Sequence, residues 1–159
     1  MLTRLALVWA LHAAALWTWH LPGLYQAALV DGGIHLAEHA VLLGTALLFW
    51  WRVVHPGGQA AAAYGTSSVA VFTMALQGGL LGALMTFARV PWYPAYGSTA
   101  LAWGISPLQD QQLAGMVMWA PAGLIYLAAT LALLSAWLRA AERRAWRAER
   151  ARADDRVTG

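Results

Sequence analysis

The sequence contains no cysteine. That excludes disulfides, thiolate metal sites and every cysteine-based redox motif. It also has little charge. Charged residues make up 11% of the 159 positions, where a soluble domain carries about 25%. Between Leu5 and Leu138 the only formal charges are Asp31, Glu38, Arg52, Arg89 and Asp110. There is no glycine-rich phosphate loop, and no catalytic nucleophile is apparent. All ten basic residues are arginine and seven follow Leu138, so the net charge of +3 belongs to the tail. An arginine run beside apolar segments reads as a topology determinant and gives no reason to expect a nucleic-acid partner.

Apolar residues are abundant, at 60% of the chain, and ten tryptophans accompany them. This composition points to an integral membrane protein with aromatic belts. A spanning helix needs about 20 apolar residues. Four stretches are expected to cross, near residues 3–20, 34–54, 66–88 and 107–138. After Arg4 the first of them runs into Trp17-Thr18-Trp19-His20, with no small-residue cleavage site, so it reads as a retained helix and not as a signal peptide. Residues 23–30 read as a short interfacial helix ended by Asp31-Gly32-Gly33, and residues 59–65 as a small-residue loop. Pro91-Trp92-Tyr93-Pro94-Ala95-Tyr96-Gly97 reads as an aromatic surface loop. The last helix has the clearest start: Ser106 as cap, Pro107 at the first helical position and Gln109 completing a capping box. The expected fold is all-α and polytopic. Residues 1–138 form the membrane domain, and 139–159 a basic helical extension that frays at Asp154-Asp155.

The tail arginines put the C-terminus in the cytoplasm, and four crossings then put the N-terminus there too. In that orientation His20, His35, Glu38, His39 and Asp110 all reach the outer membrane face. Glu38 stands apart, because it is the one charge expected inside an apolar segment. Its insertion costs about 2.5–3.5 kcal/mol, and intramembrane carboxylates are usually paired or functional. On a helix His35 and His39 are about 40° apart and share a face, with Glu38 beside them. Such a group can bind a metal, relay a proton or hydrogen-bond internally. His20 reads as a further ligand or as an interfacial residue. Asp110 reads as a tuning group or as a first-turn acid meeting the helix dipole. Met118 shares a face with Gln111 and Gly115 and reads as an assisting ligand or as core. His12 reads as a packed histidine and His55 as loop. Gly78 with Gly82, and Gly79 with Ala75 and Ala83, mark the third span as a packing element. Imidazole suits zinc, copper, iron or nickel and thioether favours copper(I), so copper fits best and zinc is the alternative. His35-x-x-Glu38-His39 also matches the pattern of inverted zinc proteases, which makes an intramembrane zinc protease an alternative reading. A metal-free scaffold and a bis-histidine heme site are further alternatives.

Several stretches then carry a joint resemblance. Trp19-His20-Leu21-Pro22-Gly23-Leu24-Tyr25, His35-Leu36-Ala37-Glu38-His39 and Phe49-Trp50-Trp51 come first. The segment from Thr86-Phe87-Ala88 to Tyr93-Pro94-Ala95-Tyr96 follows, then Asp110-Gln111-Gln112-Leu113-Ala114-Gly115 and Met118-Trp119-Ala120-Pro121. In this order they resemble the CtaG-type cytochrome c oxidase assembly factors of bacteria, associated with the caa(3)-type oxidase. The resemblance implies a multi-pass plasma-membrane protein, not an enzyme, that works with cytochrome c oxidase subunits and helps copper reach the oxidase metal centres. The family motif histidines correspond to His20, His35 and His39, with Asp110, Gln111 and Met118 in the last motif. Family members usually carry further N-terminal helices. This sequence is therefore expected to be a short member that stands alone or completes its site with a second copy or another chain. Arg52 stands where proline often follows the Trp-Trp pair, and Gln77-Gly78 stand where a histidine is often seen.

Overall fold

A computed structural model describes residues 2–55, 60–93 and 97–158, and among them only helices occur. In chain order these are α1 (Leu2–Trp19), α2 (Pro22–Val30), α3 (Gly32–Val54), α4 (Ala60–Thr86), α5 (Gly97–Ala102) and α6 (Pro107–Thr158).

Among the described residues three helices, not the expected four, are long and apolar enough to cross a membrane: Gly32–Val54, Ala62–Thr86 and Pro107–Asp154. α1, an 18-residue helix carrying Arg4, His12, Trp9, Trp17 and Trp19, is not among them. α1 is nonetheless tied into the bundle. Leu5 joins Phe49, Val53, Val71 and Met74 in one buried cluster. His12 Nδ1 lies 3.0 Å from Thr45 Oγ1 of α3, and Trp17 Nε1 donates to Gln77 Oε1 of α4 at 2.6 Å. α1 thus runs antiparallel to α3 and parallel to α4, over the full depth of the bundle.

α4 and α6 form the most extensive helix pair. Their contacts follow an antiparallel register. A Cβ on Gly115 would lie 2.7 Å from the Gly82 carbonyl oxygen and 2.7 Å from Thr86 Oγ1, so the backbones touch at the Gly82–Gly115 crossing. Lower down, Ser68 Oγ donates to the Thr130 carbonyl at 3.4 Å, and a Cβ on Gly65 would meet the Trp137 ring at 3.3 Å. Small residues let helices approach closely where lipid supplies no hydrophobic drive between them. Gly79 is different: a Cβ there would meet nothing within 4 Å. Trp50 of α3 meets Tyr126 of α6 with ring centroids 5.3 Å apart and closes the bundle.

Many large apolar side chains point outward, among them Leu36, Leu43, Leu47, Leu80, Val117, Leu124 and Ile125. The most apolar stretch of α6 buries no residue inside the protein. Apolar surface on this scale is unfavourable in water and suits a hydrocarbon solvent.

Several boundaries differ from the sequence reading. Residues 60–65 are helical, because their alanines are strong helix formers. Pro56-Gly57-Gly58, Gln59 and Pro94-Ala95-Tyr96 lie outside the described residues. Gly97 opens the short α5, with no apolar periodicity to announce it. The tail does not fray at Asp154-Asp155, since α6 continues to Thr158. Its alanine and arginine content favours helix in water as well as in lipid. At about 1.5 Å per residue, α6 is roughly 78 Å long, more than twice the hydrocarbon thickness.

Candidate metal centre

The end of the bundle that carries the α3 N-terminus is built from local rules. Asp31 closes α2 and caps α3, its carboxylate accepting from Gly33 N at 2.8 Å and Ile34 N at 3.0 Å. In the sequence Asp31-Gly32-Gly33 reads as the end of the preceding short helix. An aspartate just before an apolar run is also the signal of a helix start. This cap fixes the phase of α3. Glu38, Thr45, Phe49 and Val53 then fall on one face at intervals of seven, four and four residues, and Thr45 meets His12 of α1 across it. Glu38 is therefore drawn into the bundle, with 8% of its surface exposed.

His35 and His39 lie about 60–100° around α3 from Glu38, at the edge of that face. Their side chains are 56% and 66% exposed, against 10% for Glu38. Glu38 Oε2 lies 3.8 Å from His35 Nδ1 and 4.0 Å from His39 Nδ1. The two imidazole centroids are 4.3 Å apart. One ligand atom from each of the three residues falls within 4.8 Å of the others. Zinc–imidazole bonds of about 2.0–2.1 Å separate two tetrahedral donors by about 3.4 Å, so small side-chain rotations suffice to close this group on one ion. His39 Nδ1 also lies 3.2 Å from the His35 carbonyl oxygen. The carbonyl can only accept, so Nδ1 donates there and the Nε2 lone pair stays available, the usual arrangement behind a ligating histidine.

Among the described residues, His20 and Asp110 are not part of this three-residue group. His20 ends α1, with Nδ1 2.7 Å from the Leu16 carbonyl and its ring against Tyr25, centroids 6.1 Å apart. Its carbonyl accepts the Tyr93 hydroxyl at 2.8 Å. The aromatic loop after α4 is thereby tied to the α1 end of the site. Asp110 sits in the first turn of α6. That turn begins with the expected capping box: Ser106 N donates to Gln109 Oε1 at 2.8 Å, and Gln109 N donates to Ser106 Oγ at 3.2 Å. Met118 lies deeper, on a cavity with His12 and Met74.

Gln111, placed by the sequence on one helix face with Gly115 and Met118 and in the last motif, is a structural centre. It is 4% exposed. Its Oε1 accepts the Trp92 backbone N–H at 2.6 Å, and its amide nitrogen lies 3.5 Å from the Met85 carbonyl. Gln112 adds a bond from its amide to the Ala88 carbonyl at 3.0 Å. Removing a buried partner of this kind costs about 1–3 kcal/mol. Gln111→Leu is accordingly expected to lower the thermal unfolding midpoint by several degrees, measured by circular dichroism in detergent. Gln109→Leu, at the exposed cap, is expected to shift it less.

The fold and site define an all-helical protein of membrane-spanning dimensions, with two exposed imidazoles and a buried carboxylate converging at one end. The family model for the cytochrome c oxidase caa3 assembly factor (Caa3_CtaG) matches residues 1–140, and the chain belongs to that family. Comparison with curated proteins and with solved structures gave no match.

Proposed function

We propose that this chain receives copper on His35, His39 and Glu38 at the outer membrane face and passes it to cytochrome c oxidase during assembly. The observation that carries the reading is the convergence of two exposed imidazoles and one buried carboxylate within 4.8 Å. Three donors leave a copper ion with an open position, which transfer to a client requires. The single negative charge of Glu38 offsets that of a monovalent ion, and the exposed histidines give a client access. Zinc is the alternative ion for the same donors.

The tail arginines support a cytoplasmic C-terminus. Reading back through α6, α4 and α3 as alternating crossings, the α3 N-terminus faces outward. The antiparallel course of α1 beside α3 brings the N-terminus back toward the cytoplasmic end. The setting is a bacterial plasma membrane, and the role is that of a non-catalytic carrier working with oxidase subunits. In this reading His20 and Asp110 flank the copper group at the same end of the bundle and act on its approach. A second copy or another chain is the natural source of any further ligand.

The test is metal content by mass spectrometry on the full chain in mild detergent, loaded with Cu(I). The parent is expected to hold a copper ion that a His35→Ala/His39→Ala variant of equal helicity lacks. Equal copper in the two proteins contradicts the reading and favours a metal-free scaffold, in which the cluster only holds helices together.

A further inference from the structure

A second constellation lies in the middle of the bundle. α1, α4 and α6 line a partly open cavity of ≈180 Å³ whose lining includes His12, Met74, Met118, Gln77 and Tyr126. Among the described residues no carboxylate borders it, and its other lining residues are glycine, alanine, leucine and tryptophan. We propose that this cavity is a binding site for a soft monovalent cation, Cu(I) or Ag(I), with His12 Nε2 and the sulfurs of Met74 and Met118 as donors.

The imidazole is held ready by α3. The Thr45 hydroxyl has carbonyl acceptors at 2.8 Å (Val41) and 3.2 Å (Leu42), so its one proton is committed there. His12 Nδ1, 3.0 Å from that oxygen, therefore donates to it, and the remaining lone pair of the ring is on Nε2. Stacking on Phe49, with centroids 6.2 Å apart, restrains the ring plane.

The first thioether is oriented in the same way. Trp17 Nε1 donates to Gln77 Oε1 at 2.6 Å, which fixes the Gln77 amide. Its nitrogen then reaches Met74 Sδ at 2.8 Å and occupies one sulfur lone pair, leaving the other free. Met118 faces the same cavity from α6 and supplies the second sulfur. All three donors are neutral. In a low-dielectric interior a neutral donor set leaves a divalent ion with far more uncompensated charge than a monovalent one. Thioether donors also select Cu(I) by softness. The open space adjoining Gly79 leaves room for the ion.

This site is separate from the outer cluster. His12 bonds to Thr45, which is six residues beyond His39 and ten beyond His35 on α3, or about 9–15 Å along the helix axis. Either site can therefore exist without the other.

The experiment uses the full chain in mild detergent, loaded anaerobically with Cu(I), with copper counted by mass spectrometry and its ligands read by X-ray absorption. His35→Ala/His39→Ala is expected to retain one copper per chain with a sulfur shell. Met74→Leu/Met118→Leu keeps side-chain volume and hence the fold, and is expected to lose that shell entirely. His12→Gln is expected to weaken binding at least tenfold while leaving sulfur contacts on any ion still bound. A sulfur shell that survives Met74→Leu/Met118→Leu overturns the proposal, as does its absence from both the parent and His35→Ala/His39→Ala. If the outer cluster takes no copper, the parent and the double-histidine variant both bind the single sulfur-ligated ion. Failure of the outer reading is thus told apart from failure of this one.

Discussion

Gly115→Leu is expected to remove most of the folded protein from the membrane. The position has no room for any side chain, since a Cβ would already sit 2.7 Å from both the Gly82 carbonyl oxygen and Thr86 Oγ1. Real Cβ atoms do not approach backbone so closely, so α4 and α6 must separate. Separation at this point also loosens the Gln111 bonds to Trp92 and Met85 one turn away. Overpacking costs about 1–3 kcal/mol where flexible side chains can yield. Here the obstacle is backbone, and the expected loss is at or above the top of that range, a large part of the roughly 5–15 kcal/mol that holds a domain folded. The check is the yield of monodisperse protein after detergent extraction, with Gly44→Leu as the comparison. A Cβ on Gly44 meets nothing within 4 Å, so that variant is expected to extract normally.

His35→Ala/His39→Ala is expected to leave the fold unchanged and to abolish oxidase maturation. Both side chains are more than half exposed, and α3 is held by its Asp31 cap and by Phe49 and Val53 on its buried face, so the change removes only the imidazole contacts of Glu38. Changing a group that merely supports a metal ligand costs about 10–100-fold in affinity, and removing two ligands outright costs more. Oxidase activity in membranes from cells carrying only this variant is expected to fall to that of cells lacking the chain. Added copper in the growth medium is expected to restore part of it by mass action. Extraction yield and helicity equal to the parent separate this outcome from that of Gly115→Leu.

What could be read from the sequence was what depends on neighbours along the chain. The His35–Glu38–His39 group needs only the helical repeat, and the Ser106–Gln109 box only a three-residue spacing. The apolar runs of α3, α4 and α6 report their solvent directly. What could not be read depends on distant residues. α1 is not among the helices long and apolar enough to span among the described residues, and its place beside α3 rests on His12 meeting Thr45 and on Leu5 meeting Phe49 and Val53. His20 matched the family motif, yet its surroundings are set by Tyr25 and by Tyr93, which arrives from 73 residues away. Met118 shared a helix face with Gln111, but helical phase alone does not say which histidine it will meet. The glycine spacing in α4 signalled close packing. That Gly82 is the contact and Gly79 is not follows from where α6 crosses.

The most direct test of the central claim is the copper content of cytochrome c oxidase isolated from cells in which this chain carries His35→Ala/His39→Ala. The account predicts oxidase protein that is present but deficient in copper, to the same degree as in cells without the chain, while parent cells give fully metallated enzyme. Fully metallated oxidase from the variant cells would contradict it, and would show that the exposed histidines of α3 are not the route by which copper reaches the oxidase.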